Sequence, residues 1–490
     1  MSLTDQSSKT KDQSSRPRLR VAILSSEALP FAKTGGLADV SGSLTKALHA
    51  QDVDSLLILP LYDQVDRALI TGTYVEDLEV AWRGGKPRIP VRISDALGAP
   101  AYLIEAPHYF SRAAIYGESD DHERFAFFCR AAIALLGRIG DKTDVLHCND
   151  WPGGFATVEM KARRPHDPFF EKTRMLFSIH NLAYQGAFSP DDLWWLGFSE
   201  HKDAFMLSNA ASPLKAGIIA SDFLSTVSPR YAGEIQTPEQ GAGLDWLLRA
   251  RNDRLVGITN GVDYDVWNPE TDPHLAANFS KDDLSGKKEC KLDLLRRFHL
   301  PAEPERPIIA IISRLVAQKG YDLIRQAARG ILDTGAFFIV LGAGAREYED
   351  FLQAWHDQAP HRVGIYKGYA GEPLAHQIEA GADLFLMPSQ YEPCGLNQMY
   401  SMRYGTVPVV RATGGLDDTV QGFDPATGSG NGFKFRPYSA AAMLEKIREA
   451  LYFYNQPETW AKIQRNGMTV DNSWSAAAKK YIQLYESMLN

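Results

Sequence analysis

The chain has 490 residues, too long for one ordinary core, and so predicts two or three domains of about 100–200 residues each. Its 44% hydrophobic and 23% charged residues are the proportions of a soluble globular protein, and no run of about 18 apolar residues is present, which argues against a membrane span. The formal charge of −8 argues against a general nucleic-acid surface, because phosphate backbones are bound by net basic patches.

Residues 1–18, rich in Ser, Gln, Thr, Lys and Arg and without an apolar centre, read as a disordered leader rather than a secretion signal. Four scattered cysteines, Cys129, Cys148, Cys290 and Cys394, show neither metal-type pairing nor disulfide-like density, so a reducing cytoplasm fits them and no metal is expected. Leu19–Ser25 predicts a first strand, Ser26–Asp39 the loop after it, and Val40–Ala50 a helix with Leu44, Ala47 and Leu48 on one face. In that loop Gly35 and Gly36 lack Cβ atoms where a diphosphate would need close backbone approach, and Lys33 adds a cation. Read locally, the same residues are equally a tight turn and a solvated lysine.

Val53–Pro60 predicts a second strand. Residues 70–104 partly alternate apolar and polar side chains between turns, predicting a β-rich insertion packed on the sheet, and Arg124–Leu136 predicts a helix. Asp144–Gly154 and Arg174–Gly186 are strands ending in polar turns. Parallel sheets present such turns along one edge, so Asp150, Trp151, His180 and Asn181 are expected to line the same cleft as Lys33. A carboxylate beside an indole suits sugar, one accepting hydroxyl hydrogens and the other covering an apolar pyranose face. His180 could instead be a buried histidine holding a loop, and Trp151 a core aromatic. Ser212–Asp222 predicts a helix and Phe223–Ile235 a strand followed by a helix. The segment Leu255–Pro269 closes the first domain, with Asn260-Gly261 a turn dipeptide; Asp263 and Asp265 read as local hydrogen-bond partners.

Residues 269–305 read as a connection. Pro307–Asp322 then predicts strand, loop and helix, with Arg314 and Lys319 flanking a loop at the strand's carboxyl end, either aimed into an interdomain cleft or simply at the surface. Ala336–Gly344 and Val363–Tyr369 continue the sheet, and Gly342-Ala-Gly344 alone is a weak dinucleotide signal. Ala382–Pro388 predicts a buried parallel strand, Gln390–Gly395 a tight loop and Leu396–Tyr404 a helix ended by Gly405. A loop between a strand's carboxyl end and a helix's amino end is where open α/β sheets hold ligands. Met443–Tyr454 and Ala476–Met488 are late amphipathic helices. The fold class is therefore α/β, with two doubly wound domains facing across a cleft: 19–268, the 269–305 linker and 306–472, followed by a terminal helix at 473–490.

Glu392-Pro-Cys-Gly-Leu396, with Gly414-Gly415 behind it, resembles the donor signature of the two-domain retaining glycosyltransferases, and in its wording that of bacterial glycogen synthases and plant starch synthases. Lys33-Thr-Gly-Gly-Leu-Ala-Asp39, His180-Asn-Leu-Ala-Tyr-Gln-Gly186 and Ser313-Arg-Leu with Gln318-Lys-Gly are similar to other strings of that family, and the resemblance runs from Leu19 to Met488. It implies the GT-B arrangement of two Rossmann-like domains, a last helix that crosses back to the first domain, and a cytoplasmic enzyme of glycogen biosynthesis. It implies glucose transfer from ADP-glucose to the non-reducing end of an α-1,4-glucan with retained configuration, and neither metal nor cofactor. By residue it implies Glu392, His180, Arg314 and Lys319 as catalytic; Lys33, Gly35, Gly36, Asn260, Cys394, Gly395, Leu396 and Asn397 as donor-binding; and Asp39, Asp150, Trp151 and Asn181 as sugar- or acceptor-binding. One departure stands out: the family usually writes His-Asp-Trp-His where this chain has Asn149-Asp-Trp-Pro152.

The residues also speak to mechanism. Breaking the anomeric bond leaves positive charge on the sugar and negative charge on the departing diphosphate, and preorganised cations are worth most where that negative charge grows. No nucleophile with its own acid/base partner is legible, which favours attack from the leaving-group face through an ion pair. The fold alone would also suit a sucrose- or trehalose-type transferase with a small acceptor. Intact Lys33, Arg314, Lys319 and Glu392 argue against a silent glucan-binding protein.

Overall fold

Buried runs of branched residues generate the first sheet. Arg20–Leu24 (β1), Asp54–Pro60 (β2) and Val145–Asn149 (β6) are hidden on both faces over most of their length, as central parallel strands must be. Gly72–Glu79 (β3), Arg88–Ser94 (β4), Ala101–Ile104 (β5), Arg174–Ile179 (β7), Phe223–Thr226 (β10) and Leu255–Gly257 (β11) complete it. A separate ribbon pairs Met206–Leu207 (β8) with Ala210–Ala211 (β9). This computed structural model describes residues 18–368 and 371–490. The leader at 1–17 and Tyr369, the end of an expected strand, fall outside the described residues.

The nine strands run in the order β11-β10-β7-β6-β1-β2-β5-β4-β3, parallel from β11 to β5. The segment 70–104 does not pack on the sheet as its alternation predicts; it extends the edge. β5 joins β2 in parallel, and β4 and β3 follow antiparallel. The alternation records an edge strand, β3, with most of its residues exposed.

The second sheet holds Ile308–Ile312 (β12), Phe337–Gly342 (β13), Val363–Lys367 (β14), Leu384–Met387 (β15), Val407–Arg411 (β16) and Phe433–Phe435 (β17). Their order is β14-β13-β12-β15-β16-β17, all parallel. Both sheets reverse their winding once, the first between β1 and β6 and the second between β12 and β15. Loops leaving adjacent strands in opposite directions open a crevice at such a switch point. The loops concerned carry Lys33 and Asn149-Asp150 in one domain, and Arg314-Lys319 and Glu392 in the other.

The reading of 269–305 as a connection needs correction. Ser285–Arg297 is a helix whose Leu294 and Leu295 share a core with Ile308, Phe337 and Phe385 of the second domain. Buried Lys287 donates from Nζ to the Ala380 and Tyr404 carbonyls at 2.8 and 3.0 Å and to Thr406 Oγ1 at 2.7 Å. The many charged residues of this helix concealed its short apolar face. The last helix, Trp474–Leu489, belongs to the first core through Trp474, Tyr481 and Tyr485, whose hydroxyl meets His147 Nδ1 at 2.8 Å. Among the described residues no helix is long and apolar enough to cross a membrane.

Candidate active site

The helix after β1 begins at Gly36 rather than at Val40, so Lys33-Thr-Gly-Gly is a turn running straight into a helix, Gly36–His49, with Gly35 as its extended N-cap. The turn is organised from below by a residue the motifs did not single out. Glu27, only 4% exposed, accepts on Oε2 from the Thr34 and Gly35 amides at 2.5 and 3.0 Å and on Oε1 from the Tyr116 hydroxyl at 3.1 Å. Burial raises its carboxyl, and those same hydrogen bonds hold the rise back. Gly35's amide is thus already committed to Glu27, so what this residue offers a ligand is the open space left by its missing Cβ. Lys33 Nζ lies 2.8 Å from Asp39 Oδ1, so these two form a pair at the start of the helix.

At the ends of β6 and β7, Asn149 Nδ2 donates to the Leu24 carbonyl at 3.1 Å, which leaves its Oδ1 to accept from His180 Nε2 at 2.8 Å. That arrangement puts the imidazole proton on Nε2 and turns Nδ1 into an acceptor. Burial lowers His180 to about 4, so the ring is neutral at neutral pH. The departure at Asn149 therefore has a structural duty: it ties β6 to β1 and sets the tautomer of His180. Asp150, at φ 50°, accepts on Oδ1 from the His180 and Asn181 amides at 2.7 and 3.4 Å. Burial pushes its carboxyl up to about 7, against those bonds and assisted by the charge of Glu27. Asn181 turns its own Oδ1 back to the Ala183 amide at 3.1 Å, shaping the loop.

The Trp151 indole lies flush on Gly186, where any Cβ would overlap the ring, and it stands edge-on to Phe125 at 5.0 Å. One face of the ring packs the loop after β7 onto the helix after β6, and the residue as a whole is half-buried.

In the second domain the loops after β12 and β15 zip together. The Gln390 amide donates to the Gln318 carbonyl at 2.8 Å and Gln318 Nε2 to the Tyr391 carbonyl at 3.1 Å. Gly320, at φ 77°, allows this, because a Cβ there would collide with the Pro388 carbonyl. Lys319 Nζ consequently reaches Glu392 Oε2 at 2.6 Å, and Ser389 Oγ donates to the same oxygen at 2.9 Å. Glu392 is 6% exposed. Gly395 takes φ 73°, and the helix that follows, Asn397–Arg403, is only seven residues long. Asn397 directs its amide at the buried Glu379, 3.5 Å away.

The domains meet over these loops. Arg314 Nη1 donates to the Tyr184 hydroxyl at 3.3 Å. A Cβ built on Gly36 would sit 3.8 Å from Leu396 Cδ1, so the two glycine-rich motifs face each other directly. Cys394 contacts the backbone of Asn260, and burial pushes its thiol up to about 12. Asn260 is 7% exposed, and its Oδ1 is buried with no hydrogen-bond partner among the described residues. Of the residues singled out from sequence, Lys33, Arg314, Glu392, Cys394, Gly395 and Leu396 lie on loops leaving the switch-point strands, Lys319 in a short 3-10 turn there, Asp39 and Asp150 in the first turns of the helices there, and His180 and Asn260 on the loops after β7 and β11. Glu27, Ser389 and Glu234 join them without any motif of their own to signal it, and Tyr184 joins them from within the His180–Gly186 string.

The domain description "Starch synthase catalytic domain" matches residues 20–250, and "Glycosyl transferases group 1" matches residues 295–467. The chain is 43% identical over 490 residues to a glycogen synthase of Koribacter versatilis, covering 96% of this chain and 98% of that protein. It is 40% identical over 478 residues to a glycogen synthase of Bacillus cereus, covering 96% and 100%. Among solved structures it superimposes on the catalytic domain of starch synthase IV from Arabidopsis thaliana, bound to ADP and acarbose, with TM-score 0.89, 35% identity and coverage of 96% and 99%. A sucrose-phosphate synthase from Thermosynechococcus elongatus, at TM-score 0.60 and 18% identity, shares the fold alone.

Proposed function

The chain belongs to the glycogen and starch synthase family of glycosyltransferases, and we propose that within it this enzyme moves glucose from ADP-glucose to the non-reducing end of an α-1,4-glucan with retention of configuration. The observation that carries this reading is the Lys319–Glu392 pair beside Arg314 at one switch point, with neutral His180 on the other domain. Lys319 and Arg314 suit a departing diphosphate, whose negative charge grows as the anomeric bond breaks; Lys33 adds a third cation from the facing domain. With that charge met by side chains, neither a divalent ion nor a cofactor is required.

Glu392 suits the sugar's developing positive charge and its hydroxyls, and His180 Nδ1 suits a further hydroxyl. Among the described residues no second carboxylate is paired with Glu392 as an acid/base partner, which supports attack by the acceptor hydroxyl on the face from which ADP leaves. That hydroxyl's proton passes to the leaving phosphate. Closure of the lobes keeps water from competing with the acceptor. The ADP found in the plant relative supports an adenine donor, and the four free, buried cysteines support a reducing, cytoplasmic setting.

The test is transfer of labelled glucose from ADP-glucose or UDP-glucose to glycogen, maltotriose or fructose 6-phosphate. Elongation of glycogen and maltotriose from ADP-glucose is expected. Transfer only to the small phosphorylated sugar, or from neither donor, would overturn the reading.

A further inference from the structure

The short helix Pro229–Glu234 of the first domain reaches across to the turn after β16 in the second. Glu234 Oε2 accepts from the Gly414 amide at 3.0 Å and from the Thr413 hydroxyl at 3.2 Å. Arg230 lies one turn earlier. Its amide donates to Asp418 Oδ2 at 2.9 Å, its Nε lies 3.1 Å from Glu234 Oε1, and the same Nε is 3.8 Å from Asp417 Oδ2. Lys434 Nζ holds Asp417 from the far side at 2.7 Å. Bonds of a carboxylate to an N–H are charge-assisted and stronger than neutral ones.

What the latch grips is the support of the signature loop. Gly414, at φ 44°, lies so close to the Glu392 carbonyl that a Cβ would overlap it, and Gly415 stands in the same relation to Cys394. The Gly415 amide donates to the Glu392 carbonyl at 3.2 Å. A carboxylate on one domain thus fixes the turn that backs the Glu392 backbone on the other.

We propose that Glu234 is a positioning residue for glucosyl transfer: bonded to Thr413 and Gly414 only while the lobes are shut, it makes closure set the placement of Glu392. The inference rests on the reading of the cleft given above. Opening the lobes would return Glu234 to water and free the turn. Arg314 and Lys319, the cations nearest Glu392, both belong to the second domain and make no contact with the latch, so ADP affinity should fall far less than turnover.

Glu234→Ala is expected to lower kcat about tenfold or more, equivalent to about 1.4 kcal/mol of transition-state stabilisation, while the Kd for ADP by calorimetry stays within about threefold. Glu234→Gln should recover most of the loss, because its carboxamide oxygen can accept the same two bonds. Asp418→Ala, which removes the acceptor for Arg230 from the other domain, should act in the same direction and serves if the first variant does not fold. Small-angle scattering with ADP present should give a larger radius of gyration for Glu234→Ala than for the parent enzyme, a readout independent of turnover. Absence of transfer by the parent enzyme would count against the function; unchanged compactness of the variant would count against the latch. A kcat within about twofold of the parent, or parallel loss of ADP affinity, stability and turnover without rescue by glutamine, would overturn the inference.

Discussion

Lys319 Nζ stands 2.6 Å from Glu392 Oε2, joining the loop after β12 to the loop after β15 at the point where the second sheet reverses its winding. The cation suited to the leaving diphosphate and the carboxylate suited to the sugar are therefore placed by one contact. Lys319→Ala and Glu392→Gln are each expected to lower kcat about 100- to 1,000-fold, the usual effect of removing one preorganised electrostatic partner. Stability should fall far less, with the thermal midpoint shifting by a few degrees at most, about the effect of 1 kcal/mol in a chain of this size. Near-normal turnover in both variants would remove these residues from the mechanism.

Tyr184 bridges to Arg314 from the facing domain at 3.3 Å. Tyr184→Phe deletes only the hydroxyl, so it should raise the donor KM about threefold to tenfold through loss of one hydrogen bond to a charged group. Steady-state kinetics with ADP-glucose varied at saturating glycogen checks this; an unchanged KM would mean that the bridge contributes nothing to donor capture.

Asp150 gives a pH signature. Its carboxyl is raised from the ordinary 3.8 to about 7, so the folded chain holds a proton that the unfolded chain has released. The resulting stabilisation is complete below 3.8, declines as pH rises and is gone above about 7. His180, lowered to about 4, acts in the opposite sense up to its ordinary 6.5. Comparison with Asp150→Asn isolates the first effect: the stability of the parent relative to this variant should fall between about pH 5 and pH 8. Over that window the fall is at most about 3 kcal/mol, about two pKa units at about 1.36 kcal/mol each. Urea unfolding at the two pH values measures it, and a pH-independent difference would contradict the raised carboxyl.

If Lys33, Arg314 and Lys319 meet the leaving-group charge, chelation should have little effect. Transfer from ADP-glucose in excess EDTA is expected to retain at least about half of the untreated rate, since the cations that stabilise the transition state are covalent parts of the chain. Loss of activity on chelation, restored by a divalent ion, would show that the side chains are insufficient.

Strand-forming runs such as Ile308–Ile312 and Leu384–Met387, the glycines at 395 and 414–415, and the motifs containing Lys33, His180, Lys319 and Glu392 were legible in the linear chain. Each is a local pattern of hydrophobic burial, positive φ or close backbone approach. The helix at 285–297 was hidden by its own charges, and the packing of Trp151 on Gly186 carried no local signal because an indole's neighbours are set by the fold. Glu27 and Glu234 carry no local mark, since a carboxylate is assigned by the amides that reach it, and those amides arrive from Thr34 and Gly35 in one case and from Gly414 in the other.

The amino-acid sequence by itself determined two parallel α/β domains and the side chains that supply charge to the cleft, because periodicity and glycine placement act over a few neighbouring residues. Only the tertiary structure decided which of those side chains meet. The order of strands brings β12 beside β15 and β1 beside β6, and the pairings Lys319–Glu392, His180–Asn149 and Glu234–Gly414 join residues far apart in the chain, whose contact energies exist only after folding has closed the intervening loops.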